Sequence, residues 1–127
     1  MHNIDAAEAI GTGGTWVNLA TDGPKITVPR AGDYKAEWGG MAYNANGSAI
    51  AMYAGISVGD TSPLVYYGGL IYLTNSLAGV SPVAGVYKFL AVPASTAIKL
   101  RYFASTVAGG QQSFQMRAIA VTPVRVA

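Results

Sequence analysis

Cysteine is absent from the 127 residues, histidine occurs once, and only 11% of positions carry a charge. The first absence excludes disulfides, thiolate metal ligands and a cysteine nucleophile. The second restricts a hydrolytic triad to unusual serine or threonine variants, because His2 stands alone in the leading segment. A chain of this length forms one domain that buries roughly two thirds of its extended surface, so no covalent or metal staple is required. No apolar run approaches the ~18 residues of a membrane span. Met1 to Gly14 has Asp5 and Glu8 but no basic stretch followed by an apolar one, so no secretory signal is expected.

Hydrophobic residues make up 51% of the chain. A monomeric soluble surface carries about 25 to 35% charged residues. The shortfall predicts that part of the outer surface is covered, by further copies of the chain or by a larger assembly, since such interfaces are poor in charge and rich in aromatics. Eight tyrosines and two tryptophans suit that use. A neutral surface rich in Ser, Thr, Asn and Gln is the competing reading. The net charge of +2 is small and dispersed, which argues against nucleic acid and anionic lipid as partners.

Residues 1–14 read as a flexible arm: Ala6, Ala7, Ala9 and Ile10 could start a helical turn, but Gly11, Gly13 and Gly14 end it. From residue 15 to 127 the apolar period is two. Short strands are expected at Trp16–Ala20 and Lys25–Val28, separated by the turn signal Asp22-Gly23-Pro24. Tyr34, Ala36 and Trp38 oppose Asp33, Lys35 and Glu37, the pattern of a half-buried antiparallel strand, and Gly39-Gly40 marks a bulge before Met41–Tyr43. Asn46-Gly47 carries a hairpin signal. Strands follow at Ala49–Val58, Leu64–Leu73, Ala84–Val92, Ala97–Ser105 and Ser113–Thr122, with a tail through Val126 and a polar loop at Thr74–Pro82. Short strands, frequent turns and no amphipathic helix leave an all-β sandwich, jelly roll or barrel.

The run Ile26-Thr27-Val28-Pro29-Arg30-Ala31-Gly32-Asp33-Tyr34 resembles the early "apolar, x, Val-Pro, two residues, Gly, x, Tyr" signature of the jelly-roll superfamily shared by complement-subunit-like and tumour-necrosis-factor-like domains. Phe114 to Val124 is similar to the last strand of those domains, although Asn44 to Pro82 does not match strand by strand. The resemblance implies a jelly-roll sandwich of about eight antiparallel strands, assembled as a homotrimer with one sheet of each subunit around the three-fold axis. Bacteriophages use similar modules as capsid decoration proteins, fibre heads and tail appendages. The small size, the glycine and alanine content and the lack of a signal peptide look more like those versions. Independently of the resemblance, Pro29 and Gly32 make a tight approach to the long strand, and Tyr34 and Trp38 anchor its core face.

Nothing in the carboxylate set assembles a reaction centre. Asp33 and Glu37 share a strand face but lie about 13 Å apart, beyond the separation of paired glycosidase carboxylates. Asp22 and Asp60 sit in separate loops without the dense spacing of a calcium site. Gly11-Thr12-Gly13-Gly14 lacks the Lys-Ser or Lys-Thr of a phosphate loop and reads as a hinge. The chain is therefore expected to be no enzyme and to need no cofactor. Lys99, Arg101 and Arg117 could form a basic strip on adjoining final strands, either paired with Glu37 or Asp33 or facing an acidic shell or glycan.

Two functional classes follow. The first is a virion structural protein, a capsid decoration or appendage subunit acting through contacts with its own copies and with a major capsid or other virion protein. The second is a receptor- or carbohydrate-binding fibre tip, with Tyr66, Tyr67, Tyr72, Tyr87 or residues around Asn75 touching host sugars.

Overall fold

A computed structural model describes residues 1–63, 65–71, 79–107 and 109–126. Nine strands are described: β1 (His2–Ile4), β2 (Glu8–Ala9), β3 (Lys25–Val28), β4 (Gly32–Asn44), β5 (Ile50–Val58), β6 (Val65–Ile71), β7 (Gly79–Val92), β8 (Thr96–Ala104) and β9 (Gln112–Val126). They form two antiparallel sheets that do not close into a barrel. In the first the order is β1-β9-β4-β7, with β2 also on β9; in the second it is β3-β8-β5-β6.

The two-residue period sorts side chains between the inside and the outside of this sandwich. Tyr34, Ala36, Trp38 and Ala42 of β4 face inward, opposite Ile50, Met52, Ala54 and Ile56 of β5 and Ile98, Leu100, Tyr102 and Ala104 of β8. Phe114 and Ile119 of β9 complete the layer. The long strand begins at the corner made by Pro29 and Gly32, where the Tyr34 hydroxyl donates to the Arg30 carbonyl at 2.7 Å. Farther along, Gly85 on β7 leaves room for the Trp38 ring: a Cβ there would meet the indole at 2.5 Å.

Several segments differ from their sequence-based expectation. The leader expected as a flexible arm instead contributes two short strands to the first sheet, His2 opposite Ile119 and Glu8 opposite Phe114. It then crosses to the second sheet, with Ile10 N–H on the Gln112 carbonyl and Gly14 N–H on the Ala104 carbonyl. Ile10 is buried as it makes this crossing, so the leader closes one end of the core. At the expected strand Trp16–Ala20 there is one bridge, Val17 to Tyr102.

Asn46-Gly47 joins no hairpin, because β4 and β5 belong to different sheets. The connection is organised by the fully buried Asn44. Its side-chain oxygen accepts from Asn46 N–H and Gln112 Nε2, each at 2.9 Å, while its amide donates to the Ser48 and Ile71 carbonyls. The expected bulge at Gly39-Gly40 is present as a register shift against β9. β7 starts at Gly79, so the described end of the expected polar loop Thr74–Pro82 is strand.

Candidate functional site

The expected basic strip is not one surface. β8 and β9 lie in different sheets, so Lys99 and Arg101 face out from the second sheet while Arg117 points into the sandwich. None of the three pairs with Asp33 or Glu37. Asp33 accepts from Ala91 N–H and faces Arg125, and Glu37 pairs with its neighbour Lys35 at 2.8 Å.

Lys99 is buried between two loop carboxylates, with Asp22 at 2.5 Å and Asp60 at 2.6 Å. Lys25 also reaches Asp22, and Asn18 donates to Asp60. The Lys25 and Lys99 hydrogen bonds hold the Asp22 carboxyl below its usual range, and those from Lys99 and Asn18 do the same for Asp60. Burial alone would favour a neutral Lys99 amine, but the two carboxylates outweigh it and raise its proton affinity. Arg101 donates to the carbonyls of Asp60, Thr61 and Trp16. Among the described residues its Nε is buried without a partner. Lys99 and Arg101 therefore bind two loops to the outer face of β8.

Arg117 is 1% exposed and holds the leader. Nη2 meets Glu8 at 2.5 Å, and Nη1 donates to the Gly23 carbonyl and the Tyr102 hydroxyl, both at 3.2 Å. Its guanidinium also lies 5.5 Å from the Tyr102 ring centroid, within cation–π range. Burial pushes the Glu8 carboxyl up, but the Thr21 amide and hydroxyl together with Arg117 outweigh it, leaving a net lowering. Burial pushes the Tyr102 phenol up to about 12.

Two outward sheet faces gather apolar or aromatic side chains. The outer face of the first sheet presents Val80, Pro82, Ala84, Val86 and Leu90 from β7 beside Gly39, Met41 and Tyr43 of β4 and Ala118 and Ala120 of β9, with Ser113, Gln115 and Thr122 of β9 on the same face. Val86 and Leu90 are 58% and 68% exposed. Glu37 lies mid-strand between Val86 and Ala120, and Lys35 and Lys88 form the next row, which separates Leu90 from the apolar stretch Val80–Val86.

The other surface is a cleft of about 220 Å³ on the outer face of the second sheet, lined by Trp16, Tyr53, Tyr66 and Phe103. Tyr66 stands 5.1 Å from Trp16 and 5.3 Å from Tyr53 by ring centroid, and Phe103 stands 5.6 Å from Trp16 and 6.0 Å from Tyr53. Gly55 is what lets this group form. A Cβ there would strike the Pro63 ring at 2.5 Å and the Tyr66 Cβ at 2.8 Å. Gly68 lies opposite Tyr53 on β6 and adds no side chain beside its ring.

Of the tyrosines named as sugar contacts, only Tyr66 joins the cleft. Tyr67 belongs to the opposite face of β6, with its ring 6.1 Å from Trp38. Tyr87 packs edge-on against Phe89 at the core. Tyr72 and Asn75 lie outside the described residues. Sequence reasoning did not select Trp16, Tyr53 and Phe103 for this role, yet two carried a signal. Phe103 shares its strand face with Lys99 and Arg101, and Tyr53 is out of phase with Ile50, Met52, Ala54 and Ile56.

Among the described residues, no group of three or more His, Asp or Glu is placed to hold a metal ion. No protein-family model matches the chain, and no curated protein matches it.

Proposed function

We propose that this protein is a virion structural subunit, a jelly-roll module that self-associates, as a trimer, through the outer face of its first sheet and decorates a capsid or related appendage. It acts by adhesion rather than by chemistry. The observation that carries the reading is the apolar face of β7, β4 and β9. Three strands at about 4.8 Å spacing and ~43 Å length give a face of roughly 600 Å², its polar rows included, against the ~800 Å² that each partner commits to a standard interface.

Strand order supports the fold named here. Two four-membered paths, β1-β9-β4-β7 and β3-β8-β5-β6, are the pattern produced by folding two Greek keys into a jelly roll. The resemblance of Ile26–Tyr34 and Phe114–Val124 to complement-subunit-like domains implies that one sheet of each subunit packs around a three-fold axis, and the outer face of the first sheet is the one we assign to that role. Binding of a second copy or a shell favours the folded state by mass action, which is how an adhesive subunit would stabilise a particle.

Sedimentation analysis together with co-sedimentation on genome-free capsids from the same source tests this. The expected species has three times the 13.1 kDa protomer mass and pellets with the particles. Val86→Glu, at a position 58% exposed in the isolated protomer, is expected to shift the mass to that of the protomer without lowering its folded content. A wild-type monomer that ignores the particles refutes the proposal.

A further inference from the structure

We infer that the cleft formed by Trp16, Tyr53, Tyr66 and Phe103 binds one ring of a neutral hexopyranose glycan. The outer face of a sandwich strand is ordinarily polar. Here four aromatic rings from separate parts of the chain converge on that face. They lie apart from the buried hydrophobic core.

A pyranose has a face of C–H bonds that packs on aromatic π-surfaces and an equator of hydroxyls that needs polar partners. The cleft offers both. Its rings supply rigid apolar walls that lose little side-chain freedom on binding. The hydroxyls of Tyr53 and Tyr66 make no hydrogen bond among the described residues, and Tyr66 is 49% exposed. A volume of about 220 Å³ suits a single sugar ring.

The charge around the cleft favours a neutral ligand. Lys99 is neutralised by Asp22 and Asp60, and Arg101 spends its Nη atoms on three backbone carbonyls while its Nε is buried, so neither is placed to form a bidentate pair with an acidic sugar or a phosphate. An extended peptide is a poorer occupant. Such segments draw affinity from main-chain pairing, whereas β5 beneath the cleft already has β6 on one side and β8 on the other. The cleft is on the sheet opposite the proposed assembly face, so the two readings stand or fall separately.

Nuclear magnetic resonance titration of the full chain with methyl glucosides, galactosides and mannosides and their short neutral oligosaccharides provides the test. Trp16 and Trp38 give two indole N–H signals, assigned with Trp16→Phe. At least one sugar is expected to shift the Trp16 signal saturably while Trp38, buried between the sheets, stays in place. Tyr66→Ala should weaken binding about tenfold, the scale of one lost aromatic contact, and Tyr67→Ala should leave it unchanged. If Tyr66→Ala disturbs the Trp38 signal and so the core, Phe103→Leu carries the same expected loss. The inference is overturned if no neutral sugar moves the Trp16 signal up to its solubility limit. It is equally overturned if Trp16 and Trp38 shift together, if neither cleft variant weakens binding, or if only an apolar peptide is taken up.

Discussion

Replacing Glu8 by Gln would unfasten the leader while barely changing its shape. Arg117 is 1% exposed, and Glu8 is its only ion-pair partner among the described residues. With a neutral amide at position 8, the guanidinium would stay buried against the Gly23 carbonyl and Tyr102 hydroxyl, with no counter-charge. Removing one member of a buried pair costs about 3 to 5 kcal/mol because the other is left uncompensated. The Glu8 side chain is 14% exposed, and its second oxygen accepts from Thr21 N–H at 2.7 Å, so the expected cost lies near the lower end, about 3 kcal/mol.

Arg117→Met reverses the asymmetry. The carboxylate left behind keeps the Thr21 hydrogen bond and some contact with water, so the expected loss is smaller, about 1 to 2 kcal/mol. The double variant should be less destabilised than the sum of the two. Urea unfolding at one fixed protomer concentration measures all four corners of this cycle, and hydrogen exchange at residues 2–9 reports release of the leader. Additive losses, or a Glu8→Gln loss smaller than that of Arg117→Met, would refute the asymmetry on which the account rests.

Stability should also fall at both pH extremes. Glu8, Asp22 and Asp60 have lowered proton affinities in the folded chain, so their contribution is complete above their unfolded values of 4.5 and 3.8 and disappears as pH falls through the lower folded ones. Lys99 is raised above 10.5, so its contribution is lost as pH rises through its folded value. Tyr102 holds its proton to about 12 against 10.0 when unfolded, which removes up to ~3 kcal/mol across that interval at about 1.4 kcal/mol per pH unit. Tyr102→Phe should flatten the alkaline limb of a pH-dependent urea midpoint series; an unchanged slope would count against the assignment. Asn44→Ala, which deletes four hydrogen bonds at the turn between the sheets, is expected to cost about 3 kcal/mol in the same assay. A loss under about 1 kcal/mol would mean that Asn44 does not organise this turn.

The alternation of Tyr34, Ala36 and Trp38 against Lys35 and Glu37 was legible because strand period is a local property, repeated every two residues. The same holds for Ile98, Leu100 and Tyr102, and for the bulge announced by Gly39-Gly40. The leader was not legible: strands of two and three residues have too few positions to display a period. Asn46-Gly47 illustrates a different limit. Turn chemistry specifies that the chain reverses, not whether the strands that follow it share a sheet.

By itself the sequence determined an all-β chain, the inward faces of its long strands and a surface short of charge, since each follows from composition or from neighbours a few residues apart. Only the tertiary structure decided which charges meet and which rings gather. Lys99 finds Asp22 across 77 positions and Arg117 finds Glu8 across 109. The aromatic cleft draws on residues 16, 53, 66 and 103. Such pairings depend on which sheet a strand joins and which face it turns outward, and strand order is fixed by packing of the whole core rather than by any one segment.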